Sequence, residues 1–356
     1  MIVTKKHRYS NLELYRIIVM LTIVAHHYVV NTGLMTLMDE NPLSPKSLFF
    51  YIFGMWGKTG INCFVMITGY FMCKSRITIR KFLRLVLEVE FYNISIFMLF
   101  ALAGYEEFSI KEISLCLLPI KSISDGFVSC FLAFYLFIPF LNILVAHLQN
   151  KEHLILVAFT LGMYTVLGTM PGIDVRMNYV SWFCTLYFVA SYIRYYRIEF
   201  KGRYLNWGGY MLCSIFLSIS SVIGALYLDE KYEMHIGCYR YVSDCNMIFA
   251  VTTAITSFMY FKNLKMRYHK QINIVAQSVF GVLLIHANSD AMRIWLWQHI
   301  LSVQKHFNGV YACAYAIVCV ICIFVVCITI DYLRIHTIEK WTFLQIDKIL
   351  KKYNIQ

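Results

Sequence analysis

The feature that most constrains this 356-residue chain is a succession of apolar runs, each close to the length of a membrane-crossing helix. Such a helix needs about 20 predominantly apolar residues at a rise of about 1.5 Å each. Ten stretches fit, with soft edges: 12–32, 50–73, 83–104, 126–147, 153–170, 179–196, 207–228, 245–262, 272–290 and 310–333. In lipid the backbone polar groups of such runs must pair internally, and a helix closes those bonds within the segment. Hydrophobic residues make up 59% of the chain and charged residues 15%, against about 45–50% and about 25% in soluble domains. A soluble fold of this length has nowhere to hide that apolar surface. The pattern predicts an all-α, polytopic transmembrane helical bundle of about ten spans. It reads as a single membrane domain over 1–356 with no soluble appended domain, because no charged or Gly/Ser-rich linker divides it.

The formal charge is +12. Basic chains often bind nucleic acid, but here the cations sit in short loops between apolar runs, which is the signature of membrane topology. With the amino terminus inside, 22 Lys and Arg fall on the inner side and nine on the outer, with Arg16 inside the first run. The outer nine are Lys46, Lys58, Lys111, Lys121, Arg176, Lys231, Arg240, Arg293 and Lys305. The asymmetry predicts both termini in the cytoplasm, a multi-pass protein of the cytoplasmic (inner) membrane, and no nucleic-acid partner. Trp182, Trp207, Trp295, Trp297 and Trp341 fall near span ends, as an interfacial aromatic belt would. The first apolar run carries two histidines and no small-residue cleavage site, so it reads as a retained helix rather than a signal peptide. Twelve cysteines are scattered, mostly in apolar runs, and the CxxC spacing of Cys319 and Cys322 lies inside one. Those are expected to be buried small side chains rather than a metal or redox site.

Ionisable residues inside an apolar span are costly and point to function. Arg16 and His27 are eleven residues apart in the first run, so they share one helical face about 16 Å apart along the axis. An arginine at the inner surface suits an anionic donor, and a histidine at mid-depth suits a general base. A snorkelling arginine and a histidine bonded to a neighbouring helix account for the same spacing. Arg76, Arg80 and Arg84 recur every fourth residue, with Lys81 beside them, and form a basic stripe at the inner entrance of the third run. Guanidinium forks suit phosphates; ordinary anchoring accounts for part of the stripe, and Glu88 for neutralising Arg84. His286 ends another apolar run with Asp290 four residues on. If the helix continues, Asp290 orients that imidazole; an interfacial histidine is the plainer alternative. No phosphate-binding Gly-rich loop, nucleophile elbow, HExxH or zinc spacing occurs.

At these residues the chain resembles the acyltransferase-3 family of bacterial integral-membrane O-acyltransferases. Arg16 and His27 match that family's Arg-x10-His pattern. Thr68, Gly69 and Tyr70 resemble its second-helix signature, with threonine in place of the usual serine. The basic run after them resembles its cytoplasmic Arg-rich loop, here stretched to Arg80 and Arg84. Tyr135, Pro139, Phe140, Leu141 and Asn142 resemble its Tyr-Leu-x-x-Pro helix, with Ser129 where a tryptophan often stands. VSWFCTLYFVASYIRYY is similar to its Trp-Phe helix, and VFGVLLIHAN to its Gly-x-Tyr-Leu-Ile-His segment, with Leu283 for the tyrosine.

The resemblance implies a ten-helix enzyme that takes acetyl groups from cytoplasmic acetyl-CoA as donor substrate, with no permanently bound cofactor and no metal. The acceptor would be a carbohydrate hydroxyl on a surface polysaccharide or lipid-linked sugar. On that expectation His27 and Arg16 are catalytic, Arg76, Arg80, Lys81 and Arg84 hold coenzyme A, and His286 and Asp290 meet the acceptor. The competing expectations are a glycan flippase or polymerase and a non-enzymatic membrane partner. The long outer loops or many mid-span charges expected of a flippase or polymerase are missing here, and in a non-enzymatic partner the histidines would only hold helices together.

Overall fold

The computed structural model describes residues 9–121, 123, 124, 126–196, 198 and 206–352. Lys5, Lys6, Arg8, Arg197, Lys201 and Arg203 of the inner basic set lie outside the described residues. The described residues form helices and their connections, with no strand among them. The principal helices are α1 (Ser10–Val30), α2 (Gly57–Met72), α3 (Ile79–Leu102), α4 (Phe127–His147), α5 (Asn150–Leu161), α6 (Tyr179–Tyr195), α7 (Trp207–Tyr232), α8 (Ile248–Asn263), α9 (Val279–His286), α10 (Ala312–Arg334) and α11 (Lys340–Lys352).

Five of them are long and apolar enough to cross a membrane: α1, α3, α4, α7, and α10 together with its continuation into α11. The other five predicted runs form shorter or interrupted helices. The run 50–73 breaks between the helix Pro45–Gly54 and α2, and α5 passes into a π-helical turn at Gly162–Leu167. The run 272–290 breaks most, into Lys270–Val275, α9 and a new helix that starts at Asp290.

Helix α1 is the hub. It packs on α2, α8, α9 and α10 and on the helix Pro45–Gly54. Its start is tied down by side chains that satisfy backbone groups left open at helix ends. Asn11 donates to the carbonyls of Phe261 (2.9 Å) and Lys262 (3.1 Å) in the last turn of α8. Ser10 accepts from the His269 N–H at 2.8 Å and from the Asn273 amide at 2.8 Å. On the other flank, α2 packs on α6 and α6 on α4. Asn62, fully buried, accepts from Trp182 Nε1 (2.8 Å) and donates to the Cys245 carbonyl (2.6 Å). Asn142 donates to the Met72 and Ser75 carbonyls and accepts from the Tyr187 hydroxyl. Each of these amides thus has partners on two other segments, which polar groups shielded from water need.

Two tryptophans depart from the belt expectation. Trp182 and Trp297 are fully enclosed, because they fill the spaces between helices instead of facing the lipid boundary. Trp341 is exposed, as expected.

Candidate active site

The His27 ring lies against His286. Nδ1 of His27 is 2.9 Å from Nε2 of His286, and Nδ1 of His286 is 2.6 Å from the Val282 carbonyl oxygen. His286 is fully buried at the end of α9, edge-on to Trp297. A carbonyl only accepts, so Nδ1 of His286 carries the proton. With both rings neutral, Nε2 of His286 then accepts from His27 Nδ1–H. Nε2 of His27 is left with its lone pair. One backbone carbonyl, through one buried ring, sets the tautomer of a second ring.

The neighbouring His26 is held separately, its Nδ1 donating to the Gly54 carbonyl at 2.6 Å. Its ring lies over Gly57, where a Cβ would come within 2.2 Å of Cγ. Only glycine permits that approach.

His26 and His27, but not the buried His286, line a cavity of about 380 Å3. Asn93 of α3, Asn288, Lys58, Lys121 and Arg293 share the wall with apolar side chains such as Phe64 and Leu283. Asn288 donates to Asn93 Oδ1 (3.3 Å) and to the Leu284 carbonyl (3.0 Å). Lys58 donates to the Tyr179 hydroxyl at 2.6 Å.

The structure corrects several expectations. His27 stands in the last turn of α1. Arg16 shares its helical face but does not line the cavity; it is paired with Glu13 at 3.0 Å. Asp290 does not orient His286, because α9 ends there and Ser289 caps a separate helix, its hydroxyl accepting from the Met292 N–H. Asp290 is exposed and pairs with Arg293 at 2.8 Å.

The basic stripe forms a second location. Arg80 makes a two-toothed pair with Asp347 (2.5 and 3.1 Å), and Arg84 pairs with Glu339 at 2.9 Å. Both guanidinium groups lie over the Phe343 ring. Lys81 instead bonds locally, to Ser75 Oγ and to the Arg76 carbonyl. The stripe faces the carboxy-terminal helix across a cleft of about 330 Å3 and is not part of the His27 cavity.

Next to it is a buried network that sequence reasoning missed. Arg334 meets Asp331 (2.8 Å), Glu339 (2.9 Å) and Glu88 (3.2 Å), and Tyr92 donates to Asp331 at 2.8 Å. Glu88 therefore pairs chiefly with Arg334, not with Arg84 as the sequence suggests. A Cβ on Gly281 would fall 2.4 Å from Cγ of Asp331, so glycine is needed where α9 crosses α10. Arg334 and Asp331 lie at the end of an apolar run, and intramembrane charge was the one signal that could have flagged them. Among the described residues no group of His, Cys, Asp and Glu is arranged to hold a metal.

A helical membrane protein with a paired, tautomer-fixed histidine facing an internal cavity is the class that fold and site define. The family model described as an acyltransferase domain matches residues 9–330. The chain belongs to that family, acyltransferase-3, and is a membrane acyltransferase. No curated protein and no solved structure matches it.

Proposed function

We propose that the protein, with ten spans in the cytoplasmic membrane, moves an acetyl or other short acyl group from cytoplasmic acyl-coenzyme A to a hydroxyl of a surface polysaccharide or lipid-linked sugar. The observation that carries this reading is the His27–His286–Val282 chain at the wall of the cavity. It supplies a base with a free lone pair in a partly apolar site, which is what activation of a hydroxyl requires.

In this reading the acceptor oxygen gives its proton to His27 Nε2 and attacks the thioester carbonyl carbon. The imidazolium so formed is stabilised through its Nδ1–H bond to His286. The C–S bond breaks, and the proton passes from His27 to the departing coenzyme A thiolate. Asn93, its side-chain oxygen occupied by Asn288, offers an amide N–H to the carbonyl oxygen as charge builds there.

Arg80 and Arg84 take the coenzyme A phosphates at the inner mouth, with Lys81 and Arg76 as flanking charge. Arg84 and Asn93 are nine residues apart on α3, about 14 Å along its axis, a distance for the pantetheine arm to bridge. Arg16 steers the donor between the two levels.

Membranes carrying wild type or His27→Ala are supplied with radiolabelled acetyl-CoA, and label in the glycan fraction is counted. Label with the wild type alone supports the reading. Equal label from a well-inserted His27→Ala protein removes His27 from the mechanism.

A further inference from the structure

The charge asymmetry that assigns cations to the inner side leaves nine Lys and Arg outside. Three of those nine, Lys58, Lys121 and Arg293, line the single cavity that holds His26 and His27. They come from three distant parts of the chain: the start of α2, the approach to α4 and the helix after His286. Topology accounts for cations on the inner side and gives no reason for three to converge on the outer side.

No carboxylate lines the cavity among the described residues. The acids nearby are a weak counterweight. Asp244 is 3.9 Å from Lys58, whose short bond goes to the neutral Tyr179 hydroxyl. Asp290 pairs with Arg293 but is 88% exposed, and such surface pairs contribute little. Lys121 makes no ion pair within 4 Å among the described residues, and the acid whose charge it feels, Glu90 of α3, stands farther off. Arg293 also carries a buried Nε without a hydrogen-bond partner, a donor that an arriving acceptor atom would satisfy.

The geometry points to an acceptor that is itself anionic: a sugar bearing a phosphate or a carboxylate, held by Lys58, Lys121 and Arg293 while its hydroxyl meets His27. Arg293 supplies a fork for two oxygens and the lysines supply point charges. Distance from the Arg80–Arg84 cleft keeps this anion site separate from the donor phosphates. The inference rests on the acyltransfer reading of the cavity, but its test reads binding and not transfer.

Purified protein in detergent is heated with glucose, glucose 1-phosphate or glucuronate at equal concentration, and with coenzyme A as a fourth arm. The expected result is a rise in Tm of roughly 2–4 °C with one or both anionic sugars and none with glucose. The rise should weaken with added salt, disappear in Lys58→Met and Arg293→Met, and survive in part in Arg293→Lys. The two anionic arms separate phosphate from carboxylate. Equal protection by glucose, protection by neither anion, or protection that persists in both methionine variants overturns the proposal. Loss of coenzyme A protection alone in those variants overturns it too, by assigning the three cations to the donor. If the anionic sugars bind as expected but no acyl transfer occurs, the binding inference stands and the acyltransfer reading falls.

Discussion

His27 and His286 are 259 residues apart in the chain and 2.9 Å apart in space, joined Nδ1 to Nε2. That bond ties the last turn of α1 to the end of α9 and orients the ring that faces the cavity. Its consequence is separable from the presence of His27 itself. His286→Ala should keep the base but lose its tautomer control, lowering transfer by about 10–100-fold. His27→Ala should lower it by about 100–10,000-fold, the usual contribution of a general base. Initial rates of label incorporation at matched protein levels check the order. An His286→Ala rate equal to wild type would mean that the bond has no catalytic role.

Gly57→Ala would place a methyl group within 2.2 Å of the His26 ring. That ring is anchored by its 2.6 Å bond to the Gly54 carbonyl and cannot swing away freely. The expected cost is about 1–3 kcal/mol, as for other overpacked sites. Thermal unfolding in detergent should show the loss, and transfer should fall with it because His26 and Gly57 line the cavity. An unchanged melting curve would show that the backbone yields there.

Arg334 is 5% exposed and holds three carboxylates. Arg334→Met leaves them buried without their shared cation, and such changes cost about 3–5 kcal/mol. Arg84 is 58% exposed in its pair with Glu339, so Arg84→Met should cost only about 0–1 kcal/mol. Comparing the two melting temperatures separates the structural network from the stripe. Equal losses would mean that Arg84, which shares Glu339 with Arg334, carries as much of the network as Arg334 does.

Asp347 occupies the Arg80 guanidinium that the donor phosphates are proposed to take. Asp347→Asn removes that competition, and coenzyme A should then protect against unfolding at a several-fold lower concentration. Arg80→Met should abolish the protection. Unaltered protection in both variants would move the donor site away from this cleft.

The positions of the apolar runs were legible from sequence alone, because length and hydropathy are properties of a single segment. Each of the ten predicted runs contains helix, even where Ser289 and the break before Gly57 interrupt it. The shared face of Arg16 and His27 was legible too, since helical period is local. Family membership followed from motifs spread along the same segments.

What tertiary structure decided is which faces meet. Period places His27 on a face but does not say that His286 lies opposite, nor that Asp347 and Glu339 cover the arginine stripe. Lys58, Lys121 and Arg293 look like scattered loop cations in the sequence, and only packing brings them to one wall. The physical reason is the same in each case. Secondary structure is set by neighbours along the chain, whereas the partner of a polar group inside a helical bundle is set by how helices far apart in sequence pack together.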